Sequence, residues 1–173
     1  SNNLLSIKNK AFTLIELVMV IILLGILAGV VGPRFFSLGA YREKFFVEDF
    51  RSALRYARLT AEVSNCRVQF NLQANGFNLK QNQNCNQIPA SDNFILTVKR
   101  PSDPSQAYVS TEKPASMSVS SVDSASASAN TFYILPAGRV TNGAGTASDI
   151  IISFTGSDVS DSFRIEQNSG YVH

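Results

Sequence analysis

Glu16 is the residue whose chemistry most needs explaining, because it is the one charged side chain in Phe12 to Gly32, FTLIELVMVIILLGILAGVVG. A carboxylate in an apolar helix costs about 2.5 to 3.5 kcal/mol near the centre of a bilayer, so such an acid generally has a partner and a role. Cutting the chain just before Phe12 would supply one. The new amine would lie four residues N-terminal to Glu16, one helical turn away and of opposite charge, within reach in its own helix or a neighbouring one. The competing reading is an ordinary anchor or a secretory signal peptide, with Lys8 and Lys10 as the positive flank and Ile26-Leu27-Ala28 as the cleavage site. That reading gives Glu16 nothing to do.

Cys66 and Cys85 are the only cysteines. Either they close a loop of roughly 20 residues as a disulfide, stabilising by about 3 kcal/mol, or they remain two buried thiols. The pair suits an oxidising compartment, so the disulfide, with the head outside the cytoplasm, is the expectation. His173 is the last residue and the only His, so neither a catalytic base nor a zinc site has the companions it needs. Gly143-Ala144-Gly145-Thr146 lacks the Gly-Lys-Ser/Thr of a phosphate-binding loop. No catalytic, metal or cofactor site is expected, and the chain reads as no enzyme. The formal net charge is +2 with Lys8 and Lys10 included, which leaves no basic excess to attract nucleic acid.

These residues need elements to position them. The 21 residues of Phe12 to Gly32 span about 32 Å as a helix, against the roughly 30 Å of a bilayer's hydrocarbon core. Beyond them the helical pattern turns amphipathic. Phe46, Phe50, Leu54, Ala57 and Ala61 form a stripe with Val47 and Ala53 beside it, while Arg42, Glu48, Arg51, Arg55, Arg58 and Glu62 take mostly other faces. Pro33, with Gly29, Gly32 and Gly39 around it, predicts a bend or melted turn in a helix running from Phe12 to about Ser64. After Asn65, short alternating segments predict antiparallel strands at Cys66 to Phe70, Phe77 to Lys80 after an Asn75-Gly76 turn, and Phe94 to Lys99. Gln81 to Gln87 reads as loop, Tyr108 with Val109 starts another strand, and Thr131 to Leu135, Asp149 to Thr155 and Ser162 to Gln167 complete the sheet. Residues 101–130 are rich in Ser, Ala and Pro, with pairing hinted only at Met117 and Val119, and predict a long mobile excursion. The expected fold class is α+β, a long N-terminal helix packed on one antiparallel head.

Lys10-Ala11-Phe12-Thr13-Leu14-Ile15-Glu16-Leu17 resembles the prepilin-peptidase signature of type IV pilins and type II secretion pseudopilins, with Ala11 where that family usually has Gly. The resemblance implies a leader over residues 1–11, cut between Ala11 and Phe12, methylation of Phe12, and assembly through Phe12, Glu16 and Pro33. It implies the type IV pilin fold, with a transmembrane and polymerisation helix over 12–33, its amphipathic half over 34–64, and a head over 65–173 carrying a Ser-rich loop at about 101–130. Phe132 to Val140, Ser169-Gly170-Tyr171-Val172 and Arg55-Tyr56-Ala57-Arg58 resemble the H-type (GspH/FimT) minor pilins. Pro33-Arg34-Phe35-Phe36-Ser37 resembles minor pilins of the mannose-sensitive haemagglutinin pilus. The partners implied are other pilin or pseudopilin subunits, a prepilin peptidase, an inner-membrane assembly platform, and membrane lipid before assembly. The location implied is the bacterial inner membrane, single-pass with a periplasmic head, and then the pilus or pseudopilus. Two alternatives stand beside a structural subunit. One is a DNA-uptake minor pilin, for which Gly138-Arg139-Val140-Thr141 lacks the second Arg of the Gly-Arg-x-Arg motif, so that Arg139 reads as a turn residue and no DNA-binding residue is assigned. The other is a membrane-anchored adhesin head that uses the Ser-rich excursion as its contact surface.

Overall fold

The apolar run forms helix α1, Leu14–Val31, and the amphipathic run forms helix α2, Leu38–Ser64. The computed structural model describes residues 12–31, 38–85 and 93–173. The leader over 1–11 and the bend expected at Pro33 lie outside these residues. By its contacts the chain divides into two compact units, Ser1–Leu38 and Gly39–His173. In the first, α1 has no polar face, and Glu16 in its first turn is its one charge. Among the described residues no helix is long and apolar enough to cross a membrane by itself. The 18 residues of α1 extend about 27 Å, a little short of a hydrocarbon core.

In the second unit, α2 buries Phe46, Val47, Phe50, Ala53, Leu54, Ala57 and Ala61 along one stripe, the face expected from their spacing. The helix stops at Ser64 because Asn65 takes a left-handed conformation (φ 53°), one of the few residue types that does so readily. Among the described residues nine strands follow: β1 Val68–Gln73, β2 Gly76–Gln81, β3 Leu96–Thr97, β4 Val109–Ser110, β5 Ser118–Asp123, β6 Thr131–Ile134, β7 Val140–Asn142, β8 Ile150–Thr155 and β9 Ser160–Ile165. They make two antiparallel sheets where one was expected. The first has the order β3-β2-β1-β6-β7 with β4 also paired to β2, and the second has the order β5-β8-β9.

The α2 stripe is the wedge that both sheets share. Phe50 meets Phe70 of β1, Phe77 of β2 and Phe154 of β8 at ring-centre distances of 4.9, 5.0 and 5.1 Å. Phe46 adds contacts to Phe77 and Phe154. Such offset and edge-on ring pairs each add about 0.5 to 1.5 kcal/mol beyond their buried area. In the β1–β2 hairpin Gln73 pairs with Gly76, so the turn is centred on Ala74 and Asn75, one residue earlier than expected. Gly76 is instead needed for close approach, since a Cβ there would fall onto the Ser110 carbonyl of β4.

Residues 101–130 depart furthest from expectation. They hold β4 and β5, and β5 pairs with β8 over its whole length, from Ser118↔Thr155 to Asp123↔Ile150. Its inward positions include Ser121 and Asp123, which are polar yet buried. They are satisfied locally. Ser121 Oγ donates to the Ala129 carbonyl at 2.9 Å, and the Asp123 carboxylate accepts from Asn142 Nδ2, Ala125 N and Ala127 N. A strand whose buried face is built from hydrogen-bonded small polar residues shows no apolar alternation, and packing against β8 overrides the poor strand preference of serine.

Candidate functional site

The N-terminal segment is built around a helix start. Thr13 sits just before α1; its hydroxyl oxygen accepts from the Glu16 backbone N–H at 3.3 Å, and its carbonyl from Glu16 N and Leu17 N at 3.1 and 3.2 Å. Thr13 is thus the N-cap and Glu16 the third helical residue, the Thr-x-x-Glu spacing of a capping box. That pattern was present in the sequence beside the charge argument, and it fixes where the helix begins relative to Phe12. Glu16 is exposed, its side chain is not ion-paired among the described residues, and it lies at the end of α1 where the helix dipole favours an acid. Phe12 precedes the cap and is exposed. Ala11 and Pro33 lie outside the described residues. Apart from Glu16, residues 14–29 of α1 expose only apolar or small side chains, with Gly25 and Gly29 four residues apart and open on their surface.

The head holds α2 through a second carboxylate that the sequence reading did not single out. Glu43 is wholly buried one turn ahead of Phe46 and Val47, in line with the apolar stripe. Its Oε1 accepts from Ser116 Oγ (2.6 Å), Ser157 Oγ (2.9 Å) and Ser157 N (3.1 Å). Its Oε2 accepts from the backbone N–H groups of Asp158 and Val159, both at 3.0 Å. Among the described residues five donors and no cation converge on this acid, and they come from the β8–β9 turn and the segment leading into β5. The Ser116 hydroxyl, followed by the Asp158 amide, holds the Glu43 carboxyl down at about 2, against the opposing effect of burial. Gly156 completes the cradle, because a Cβ there would overlap the Glu43 carboxylate. The available signal was position: an acid in phase with Phe46, Val47 and Phe50 must enter the core or break the stripe.

The disulfide joins Cys66 and Cys85 with Cα atoms 4.6 Å apart, just after α2 and at the far end of the β1–β2 hairpin. Arg139 is exposed in the β6–β7 turn, where its carbonyl accepts from Leu135 N and Gly138 supplies a left-handed residue (φ 77°). A surface concavity of about 350 Å³ lies between Arg55, Arg58, Leu59 and Glu62 of α2 and residues 170–172. Arg58 there is committed to Glu62 at 2.8 Å. His173 approaches Glu166 Oε1 at 3.1 Å on the exposed terminus. Among the described residues no group of three or more His, Cys, Asp or Glu side chains is placed to hold a metal ion.

Residues 7–32 match the prokaryotic N-terminal methylation motif. No curated protein and no solved structure matches the chain. The motif spans Ala11, Phe12, Thr13 and Glu16 and the whole of α1. It implies processing by a prepilin peptidase, anchoring in the inner membrane, and then assembly with pilin subunits. An N-terminal methylation motif leading into an apolar helix, followed by an amphipathic helix packed on antiparallel sheets, is an arrangement consistent with a pilin fold.

Proposed function

We propose that this chain is a minor subunit of a type IV pilus or type II secretion pseudopilus, of the H type, cut after Ala11 and assembled through α1. The observation that carries the reading is Glu16, whose backbone N–H is capped by Thr13 while its carboxylate has no ion-pair partner among the described residues, in the first turn of a helix with no polar face. Lipid and a bundle of similar helices satisfy the apolar surface of α1 about equally well, because lipid tails are as apolar as leucine. Apolar contact alone therefore gives no preference for the filament. Glu16 gives one, by meeting the Phe12 amine of an adjacent subunit or neutralising its own. The open Gly25 and Gly29 suit close approach of a second helix.

The test is Glu16→Leu in a strain lacking the native copy, with the subunit quantified in sheared filaments and in the membrane fraction. Membrane abundance should hold or rise, since the acid's insertion cost is at most about 2.5 to 3.5 kcal/mol and is now removed. Incorporation should fall steeply, with cleavage after Ala11 intact by mass measurement. Wild-type incorporation of a normally processed variant would return the anchor-only reading to the lead.

A further inference from the structure

The side of α2 turned away from the head carries a second apolar ridge. Leu38, Tyr41 and Phe45 recur at i, i+3 and i+7 and are 61%, 71% and 63% exposed. At about 100° per residue they fall nearly opposite Glu43, Phe46, Val47 and Phe50. Because Glu43 is pinned by five hydrogen bonds, the helix cannot roll to bury this ridge. Arg42 and Lys44 flank it, roughly 70 to 90° to either side. Both are exposed, and neither is ion-paired among the described residues. The chemistry reverses in the next turn, where Glu48 is exposed and paired with Arg51. The ridge is therefore a short footprint at the N-terminal end of α2, about 10 Å long.

We propose that this ridge rests on an anionic phospholipid surface while the subunit waits in the membrane. The inference depends on the reading of α1 as the membrane anchor. Leu38, Tyr41 and Phe45 would enter the boundary between headgroups and acyl chains, and Arg42 and Lys44 would extend to the phosphates on either side, the usual arrangement of an interfacial helix. Charge selects lipid over a second copy of this chain. Two copies joined along the ridge in parallel would set Lys44 against the other's Arg42, whereas a phosphate surface answers both cations. Chain length agrees, because the seven links from Val31 to Leu38 reach at most about 25 Å. The start of α2 is thereby tethered near the end of α1, wherever α1 is held. Glu48 and Asp49 mark where contact ends, since an anionic surface repels them.

The experiment places the full chain in lipid nanodiscs with a single nitroxide, either at Phe45→Cys or, as a control, at Leu23→Cys in α1. The native cysteines are joined and stay unlabelled. Collision with a water-soluble paramagnetic reagent is compared with collision with oxygen, in phosphatidylcholine discs with and without phosphatidylglycerol. The label at 45 should be shielded from the aqueous reagent in anionic discs. Shielding should weaken at least about fivefold in neutral discs, and similarly in anionic discs when Arg42→Gln and Lys44→Gln are combined, from the usual contribution of a cation near an anionic surface. A label at 45 open to water in anionic discs, with the label at 23 shielded, would overturn the proposal and leave the anchor intact. Shielding that follows the number of chains per disc and ignores lipid charge would also overturn it, in favour of a second copy. An exposed label at 23 would defeat the anchor reading, and the proposal with it.

Discussion

Glu43→Gln isolates what one buried charge contributes to the head, because the side chain keeps its shape and loses only its ionisation and half of its acceptor capacity. The amide has one oxygen for two sets of donors. Placed with its NH₂ toward Asp158 and Val159, it would confront two backbone N–H groups that have nowhere to turn. Placed the other way, it meets Ser116 Oγ and Ser157 Oγ, which can rotate to accept, and strands only Ser157 N. The second orientation should win, leaving one orphaned donor and weaker bonds elsewhere, a loss of roughly ten- to hundredfold in the folding equilibrium at neutral pH. The pH dependence is more diagnostic. The folded carboxyl sits at about 2 against 4.5 for an ordinary glutamate. Its stabilisation is therefore complete above the ordinary value and fades as pH falls through that value towards the folded one. Between pH 7 and pH 3 the native protein should lose roughly 30-fold more in its folding equilibrium than the Gln variant loses. The comparison cancels the other depressed acids, Asp123 held down by Asn142 and Asp149 by Arg164. Urea unfolding of the full chain in non-ionic detergent, followed by near-ultraviolet circular dichroism of the Tyr and Phe rings, gives the two profiles. Parallel profiles over that range would refute the reasoning, because the carboxylate could not then be held ionised by the donors named.

Gly156→Ala should destabilise the head, and its effect should shrink in a Glu43→Ala background, since the two groups compete for one space; a double-mutant cycle in urea reads the coupling, and strict additivity would argue against it. Replacing Cys66 and Cys85 by Ser should lower stability by about 3 kcal/mol from loop entropy, while unreduced peptide mapping of the native protein recovers the Cys66–Cys85 pair. Phe50→Ala should be the most damaging of these changes, at about 3 to 5 kcal/mol, because its ring contacts both sheets; a loss under about 1 kcal/mol would mean that the two sheets do not share α2 as their wedge.

What was legible in the sequence was whatever a period or a length can carry. The apolar run, the α2 stripe from Phe46 to Ala61 and the helix end at Ser64 follow from hydrophobic spacing and a turn-prone Asn65. The second hairpin strand and the later strands at Thr131, Ile150 and Ser160 came from alternation, within two residues at their ends, while β1 runs three residues past the expected end at Phe70. The less legible features depend on polar groups satisfied by partners distant in sequence. β5 buries Ser121 and Asp123, so its pattern reads as loop until Ala129 and Asn142 are known to be beside it. Glu43 carries no local sign of its role because its donors lie more than seventy positions away. At the candidate site the charge of Glu16 is plain in the sequence, and the Thr13 cap is equally local, in the Thr-x-x-Glu spacing that precedes the apolar run.

An apolar stripe holds a helix against a sheet without fixing its rotation or its position along the groove, because burial is non-directional. In this head directional ties come from polar side chains spaced along α2, Glu43, Asp49 and Arg51 among them. Glu43 binds the β8–β9 turn. Arg51 bridges to Asp161 of β9 at 3.3 Å with its guanidinium 4.4 Å above the Phe163 ring. Asp49 reaches Arg100 at 3.5 Å, and that guanidinium stacks over Tyr108 and donates to the Val109 carbonyl of β4. They reach the β8–β9 turn, β9 itself and the β3–β4 connection, so together they set the helix's rotation against both sheets. Any tension carried by α1 must enter the head through the first turns of α2, since the chain is continuous there. The first tie it meets is Glu43, five residues after α2 begins. Three of the five bonds at Glu43 come from consecutive backbone amides of a tight turn, groups that cannot swing away individually as a lysine side chain can. A subunit that must be drawn out of lipid by its helix gains from having that first tie made with backbone, and the apolar stripe from Phe46 onward then shares the load over the rest of α2.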